Sequence, residues 1–307
     1  MESWDVAVIG SLNMDLVIGT PRFPQPGETL LAGPFATASG GKGLNQALAA
    51  ARQGARTRLV GSVGDDAHGA ELRAVAAADG IDVDGIVTRP GCPSGVALIT
   101  VAPDGQNTIL VAPGANERTD LAQIAADAAV VHAPIVLAQL EVPLEVVHQA
   151  LARARHAGHR TILNPAPAVA LSDELLACCD LLVPNETEAA LLTGIDTGDV
   201  AGAERAARVL LGRGVGAVVV TLGARGALYV DATSSIVVPP FAVDAIDATA
   251  AGDAFCGTLA AALGDALPVR DALRRASAAG ALATTVRGAS PSLPTAAAVD
   301  ALLARQP

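Results

Sequence analysis

The chain has 307 residues, a length that suits one large α/β domain or a large domain with a small appendage. It is 51% hydrophobic and only 2% aromatic, so its core must be built from Ala, Val, Leu and Ile, and a base-stacking nucleic-acid platform is excluded. A net charge of −11 without any basic run repels a nucleic-acid backbone. An anionic ligand would have to be held by local dipoles, backbone N–H groups, a few Arg or a metal.

The cysteines are Cys92, Cys178, Cys179 and Cys256. They form no CxxC pair and have no His cluster beside them, which argues against zinc and for reduced thiols in a cytoplasmic protein. The N-terminal MESWDVAVIG is acidic and runs straight into an apolar strand, unlike a signal peptide. No uninterrupted apolar stretch reaches the roughly 18 residues of a membrane span.

In chain order, the short runs DVAVIGSLN, RTRLVGSVG, PIVLAQLE, RTILNPAP, DLLVPNE and GAVVVTLG read as strands. Between them lie helical stretches: GLNQALAAARQG, DAHGAELRAVAAADG, PLEVVHQALARARHAG, ETEAALLTG, AERAARVLLGRG, GDAFCGTLAAALGD and VRDALRRASAAGALATTVRG. Several end at Gly, as a left-handed C-cap requires. Strands alternating with helices predict a doubly wound, mostly parallel sheet with helices on both faces. Two segments break the pattern, about 16–39 and 94–118. They carry alternation, Pro and turn signals, and the second holds a hairpin signal at PDGQN. Both are expected to project from a single 1–307 catalytic domain as a small β lid, or else to be ordinary surface hairpins.

SGGKGLNQ contains Lys42, the only lysine; the other 19 of the 20 basic residues are Arg. A Walker loop needs GxxxxGK followed by Ser or Thr. Here Gly43 follows Lys42 and Ala36 stands in the first glycine's place, so that reading fails at both ends. What remains is a Gly-rich turn opening a helix, able to approach a ligand closely, or a plain connection with a solvated Lys.

AIDATAAGDAFCGTLAAALG supplies a stronger signal. Ala250, Ala251 and Gly252 lead into Asp253, which is predicted to open an amphipathic helix. Small residues leave first-turn N–H groups free for an anion, and Asp253 could accept a hydroxyl proton beside them. The alternative is a plain Asp N-cap. In GSLNMDLV, Asn13 and Asp15 share one strand face; they suit sugar hydroxyls at a strand's C-terminal end, or are simply a solvent-facing strand end. Glu141, after PIVLAQL, could join that crevice. In PNETEA, Asn185 and Glu188 stand three apart at a helix start, which fits a capping box or a Mg²⁺ or phosphate-water contact. Thr221, Gly223 and Gly226 in VVVTLGARGALYV could admit a nucleotide or merely form a turn.

Taken in order, GSLNMDLV, FPQPGETL, SGGKGLNQALAAARQGA, VGDDAHG, SGVALI, PGAN, QLEVP, LNPAPA, PNETEA, TLGARG, DATAAGDAF and RGASPSLP resemble the ribokinase-like carbohydrate kinases over essentially the whole chain. The resemblance implies a doubly wound α/β domain with a β lid that often forms a homodimer contact. It implies transfer of the ATP γ-phosphoryl group to the 5-hydroxyl of D-ribose, with Asp253 as catalytic base and Ala250, Ala251 and Gly252 as anion hole. Ribose would contact Asn13, Asp15, Gly41, Lys42, Asn45, Glu141 and Asp247. ATP would contact Asn185, Thr221, Gly223, Arg225, Gly226, Gly252 and Ser277, and Glu188 would help place Mg²⁺ through water. A monovalent cation, usually K⁺, would be held mainly by carbonyls at Asp247, Thr249, Ala283, Val286, Gly288 and Ser292. The chain departs from the family's D-T-x-A/G-A-G-D motif at Ala248, and carries Ser277 where a larger polar residue is common. The alternatives are a kinase for 2-deoxyribose, adenosine or a keto-sugar acid, or a sugar-binding regulator without catalysis. A nicotinamide dehydrogenase is disfavoured because GSLNMD lacks GxGxxG.

Overall fold

Strand β1 (Val6–Ile9) is covered on both sides. Val6 and Val8 enter one apolar cluster and Ala7 and Ile9 the other, as the two-residue period of a strand dictates. The computed structural model describes residues 3–103 and 106–306. The remaining strands are β2 (Asn13–Gly19), β3 (Phe35–Gly40), β4 (Thr57–Gly64), β5 (Ile86–Arg89), β6 (Gly95–Val101), β7 (Asn107–Ala112), β8 (Ile135–Ala138), β9 (Arg160–Leu163), β10 (Leu181–Leu182), β11 (Ala217–Thr221), β12 (Ala227–Val230) and β13 (Ser235–Val238).

The main sheet runs β13-β12-β11-β10-β9-β8-β1-β4-β5. It is parallel from β11 to β5, and β12 and β13 are antiparallel additions at one edge. One face is covered by helices Lys42–Arg52, Ala251–Gly264 and Val269–Ala283, the other by Leu144–His156 and Val200–Gly212. This is the doubly wound α/β architecture read from the sequence, and the six predicted strands and seven predicted helices are all present. The glycines after helices Lys42–Arg52 and Leu144–His156, Gly54 and Gly158, have φ of 97° and 83°, as the left-handed cap requires. Strands β5 and β13 and the helix Ala296–Arg305 escape the sequence reading; both strands are short and partly exposed, without clear apolar alternation.

Chain order reverses at β1: the chain goes next to β4 on one side and later to β8 on the other. The carboxyl ends of β1 and β8 therefore diverge around a crevice, where ligands bind in open α/β sheets. Ser11 follows β1 and Glu141 follows β8, and the Ser11 hydroxyl donates to Glu141 Oε2 across the crevice at 2.5 Å.

The two segments that broke the pattern form a separate sheet, β3-β2-β6-β7, with β2 parallel to β6 and the other pairs antiparallel. The β6–β7 hairpin closes with Val101 opposite Asn107. Asp104 and Gly105 of its predicted PDGQN turn lie outside the described residues. Asn13 and Asp15 do share a strand face, but they open β2 rather than close a strand. They are also buried rather than solvent-facing, because β2 begins directly over the crevice.

The helix Ala251–Gly264 is not amphipathic as predicted. It is buried from Asp253 to Leu263, because the sheet lies under it and helices Lys42–Arg52 and Val269–Ala283 flank it. Its Gly257 touches the neighbouring helix: a Cβ there would stand 2.3 Å from the Gln46 carbonyl oxygen and 2.9 Å from Ala50 N. A side chain would meet backbone on both counts. Gly257→Val is expected to destabilise the protein by about 1–3 kcal/mol or more, read as a lower denaturation midpoint in urea.

Candidate functional site

A cavity of about 200 Å³ opens where the first turn of helix Ala251–Gly264 faces the ends of β9, β10 and β11. Its walls join Lys42, Asn185, Glu188, Thr221, Gly252 and Asp253 from four separate stretches of sequence. Ala250 and the unforeseen Asn164, Ala166, Val183, Ala248 and Cys256 complete it.

Asp253 is not an N-cap. The cap is Ala250, held in the left-handed region at φ 58°, with no side-chain cap bond. For a non-glycine residue this conformation costs roughly 1–2 kcal/mol. Among the described residues the N–H groups of Ala250, Gly252 and Asp253 donate to nothing, whereas that of Ala251 bonds Ala248 O at 3.2 Å. Of the three N–H groups expected to meet an anion, those of Ala250 and Gly252 are unbonded and that of Ala251 is already spent, while Asp253 N–H beside them is also unbonded. A Cβ on Gly252 would meet nothing within 4 Å, so the glycine leaves an open cradle at a helix start, suited to an anion.

The Asp253 carboxylate is 7% exposed. Its Oδ2 accepts from Asn45 Nδ2 at 3.1 Å and its Oδ1 from Gln46 Nε2 at 2.9 Å. Burial pushes its pKa above the usual carboxylate range, while Lys42, Gln46 and Asn45 pull it back. Lys42 starts its helix half-buried, and its ammonium forms no ion pair or hydrogen bond among the described residues. Burial disfavours its charge, but the fields of Asp253, Glu141 and Glu188 outweigh that and hold it protonated.

A second group adjoins the first. Glu141 Oε2 accepts from Asn13 Nδ2 at 3.3 Å and from the Lys42 main-chain N–H at 3.1 Å. Asn116, which the sequence reading missed, is buried and fixes Asn13: its Nδ2 donates to Asn13 Oδ1 at 2.7 Å and to Leu12 O at 3.1 Å. Asp15 is 8% exposed and its carboxylate has no hydrogen-bond donor among the described residues. Burial, with Glu141 and then Asp253 nearby, raises its pKa to about 7. Gly41 at φ 90° lets the loop pass within 2.7 Å, as measured from a built Cβ, of Asn13 N. Asn13, Asp15, Gly41, Lys42, Asn45 and Glu141 are thus one cluster, and Lys42 and Asp253 link it to the cavity.

Asn185 and Glu188 form a true capping box, with both reciprocal bonds at 2.8 Å, and they also line the cavity. The two sequence readings are compatible. Glu188 spends Oε2 on Asn185 N–H, and burial raises its pKa against the pull of Asn185 N–H and Lys42. Asp247 lies in a turn and makes no hydrogen bond to that cluster among the described residues. Its Oδ1 accepts from Thr249 N and Oγ1 at 2.9 and 2.6 Å, and its Oδ2 from Gly288 N at 2.8 Å. These bonds outweigh burial and keep its pKa low. The turn is closed without any hydroxyl at Ala248. Ile246 and Asp247 N–H both bond Thr284 O, so the 247–249 turn abuts the 283–288 segment that includes Ala283, Val286 and Gly288; Ser292 is buried just beyond it.

Arg225 is turned to Glu186 and the Gly198 carbonyl rather than into the cavity. Gly226 owes its identity to packing, since a Cβ would stand 2.0 Å from Val238 O. Gly223 has open space at its Cβ position. Ser277 Oγ, on helix Val269–Ala283, has no partner and lies off the cavity wall. All four cysteines are free, and no helix among the described residues is long and apolar enough to cross a membrane.

Residues 4–296 match the model of the pfkB family carbohydrate kinases. The chain is 41% identical to a ribokinase of Haemophilus influenzae over 291 residues, 94% of this chain and 95% of that one. It is 37% identical to a deoxyribokinase of Salmonella typhi over 295 residues, 95% of this chain and 96% of the relative. The structure of Arabidopsis thaliana ribokinase complexed with ribose and ATP superposes with a TM-score of 0.90 at 33% identity, covering 98% of this chain and 99% of that one. With the doubly wound fold, the anion cradle and the buried carboxylate in place, the chain belongs to the pfkB family of carbohydrate kinases.

Proposed function

We propose that this protein transfers the γ-phosphoryl group of ATP to the 5-hydroxyl of D-ribose, giving ribose 5-phosphate and ADP. One observation carries the reading: Asp253 touches both groups of residues, bonded to Asn45 on the sugar side and lining the cavity with the free N–H groups on the other. A hydroxyl placed there meets its base and the phosphoryl acceptor cradle at once. Transfer is in line through a loose transition state, so positioning and charge stabilisation do most of the work. Asp253 orients the hydroxyl and takes its proton late. The N–H groups of Gly252 and Asp253, with the Lys42 ammonium, hold the charge on the moving group. Asn13, Asp15 and Glu141 bind the sugar hydroxyls, which need donors and acceptors together. Asn185 and Thr221 face the nucleotide, and Gly223 leaves room for it.

Glu188 Oε1 is unbonded among the described residues, and Glu188 and Asn185 line the same cavity; their hard oxygens fit Mg²⁺ carried in with the phosphates. The ion supplies neutralisation of phosphate charge when bound. The contact between Asp247 and the 283–288 segment places carboxylate and carbonyl oxygens together, which fits a monovalent cation such as K⁺. The small sheet acts as a lid that keeps water from the phosphoryl group. Its strand β7 is exposed along its length, with Ile109, Leu110 and Val111 among the bare side chains. We assign this edge strand to a homodimer contact, and Leu110→Arg is expected to shift sedimentation from dimer to monomer.

The reading fits a soluble enzyme of the cytoplasm. A coupled ADP-release assay with ribose, 2-deoxyribose and adenosine, in K⁺ and in Na⁺, tests it; ribose giving the highest kcat/KM is the expected result. The deoxyribokinase likeness makes 2-deoxyribose the second reading. Asp253→Asn should bind ribose within a few-fold of the parent and lose on the order of 10²–10⁴ in turnover. A variant with near-normal turnover overturns the base assignment.

Asp15 gives a pH signature. Its pKa rises from 3.8 to about 7 on folding, so the native state retains a proton that the unfolded chain has lost. Its ionisation costs stability progressively as pH rises from about 4 to about 7. Asp15→Asn is therefore expected to raise Tm more near pH 8 than near pH 4, while weakening ribose binding at both. An equal Tm change at the two pH values would contradict this.

A further inference from the structure

Behind Asp253 lies a chain of buried amides that the phosphoryl-transfer reading leaves without a task. Gln46 is fully buried, on helix Lys42–Arg52. Its Nε2 donates to Asp253 Oδ1 at 2.9 Å and to Asn164 Oδ1 at 3.0 Å. Its Oε1 accepts from Gln139 Nε2 at 2.7 Å. Gln139 is also fully buried, on the residue after β8. Asn164 is 8% exposed, just after β9, and its Nδ2 donates to the Val183 carbonyl at 2.9 Å.

The polarity of these bonds is dictated from one end. A main-chain carbonyl cannot donate, so Asn164 must turn its NH₂ toward Val183 and its oxygen toward Gln46. Gln46 then faces two acceptors, the Asn164 oxygen and the Asp253 carboxylate, and must offer both N–H bonds to them. Its oxygen is left for Gln139, which must present its NH₂ in turn. The Gln139 oxygen is stranded: Oε1 is buried without a partner among the described residues. An unpaired buried carbonyl costs about 1–3 kcal/mol, and flipping Gln139 would relieve nothing, because it would oppose oxygen to the Gln46 oxygen. The network accepts that cost at its far end and delivers a fixed N–H to the carboxylate at its near end.

We propose that Gln46 is a positioning residue for phosphoryl transfer: its carboxamide, locked in one orientation by Asn164 and Gln139, fixes the rotamer of Asp253 and keeps Oδ1 an acceptor. This rests on Asp253 being the base. With Asn45 on Oδ2, each oxygen is aimed by a donor, and the base meets the hydroxyl in one orientation rather than several. The arrangement uses a neutral donor where a cation would bind the proton site too tightly for a base.

The test compares parent, Gln46→Met and Gln139→Leu in the full chain, by steady-state kinetics with ribose and ATP across pH. Gln46→Met keeps the shape and removes the donors. Its kcat is expected to fall roughly ten- to a hundredfold, the rate equivalent of a hydrogen bond to a charged group, with the KM for ATP within about twofold. The groups facing Asp253 are Lys42, Glu141, Asp15, Glu188 and Cys256, and the variant leaves all of them in place. Losing a donor to the carboxylate raises its pKa, so the acid limb of the kcat profile should move to higher pH. Gln139→Leu frees Gln46 to rotate and should move the limb the same way by less. It serves as the reporter if Gln46→Met does not fold. An unmoved limb, even with reduced kcat, marks a structural role and overturns the inference. The failure is separable from that of the parent reading, because Asp253→Asn retaining turnover would remove the base itself whatever Gln46 does.

Discussion

A carboxylate enclosed by protein stays an anion only if something answers its charge, since desolvation alone would drive it to take up a proton. At Asp253 the answer is spread over several weak partners rather than one ion pair. The amides of Asn45 and Gln46 each hold an oxygen, and Lys42 contributes its field without touching. A direct salt bridge would stabilise the anion more and make it a weaker proton acceptor. Much of the surrounding structure follows from this requirement. Helix Lys42–Arg52 must lie against helix Ala251–Gly264 closely enough for its amides to reach, and Gly257 is what permits that approach.

In the proposed function, the crevice at β1 and β8 faces a related problem with the sugar. Sugar hydroxyls call for carboxylates and amides at close quarters, and Asp15 and Glu141 repel each other there. A sugar hydroxyl donating to Asp15 would relieve the repulsion. Asn116 restrains Asn13 meanwhile, so the cluster is ordered before any sugar arrives. Binding then spends less on ordering side chains.

The main sheet was legible because its strands are short β-branched runs punctuated by Gly, Asn or Pro, and the small sheet because it broke that rhythm. Asp253, Asn185, Glu188 and Glu141 stood out because a charged or amide side chain at an element's end is conspicuous. Gln46, Gln139 and Asn164 did not. Gln46 sits inside an Ala- and Leu-rich helix and reads as a polar residue on its outer face; its partner Asp253 is 207 positions away. Asn45, its neighbour, was visible only through family resemblance. Glu188 posed a false choice, since spacing cannot say that one side chain caps its helix and lines a cavity together. Ala251 failed as a free donor for a local reason, a turn bond to Ala248 that depends on the left-handed Ala250. The smallness of a run tells where N–H groups are accessible, not which of them are already bonded.

Lys42 has one more consequence. Because every other basic side chain is Arg, the chain carries a single side-chain primary amine, and it lines the cavity beside Asp253. Reductive methylation with isotopically labelled formaldehyde would therefore place a spectroscopic probe beside Asp253 with no mutation at all, leaving only the N-terminal amine as a second signal. The cavity is thus the one internal address for amine chemistry.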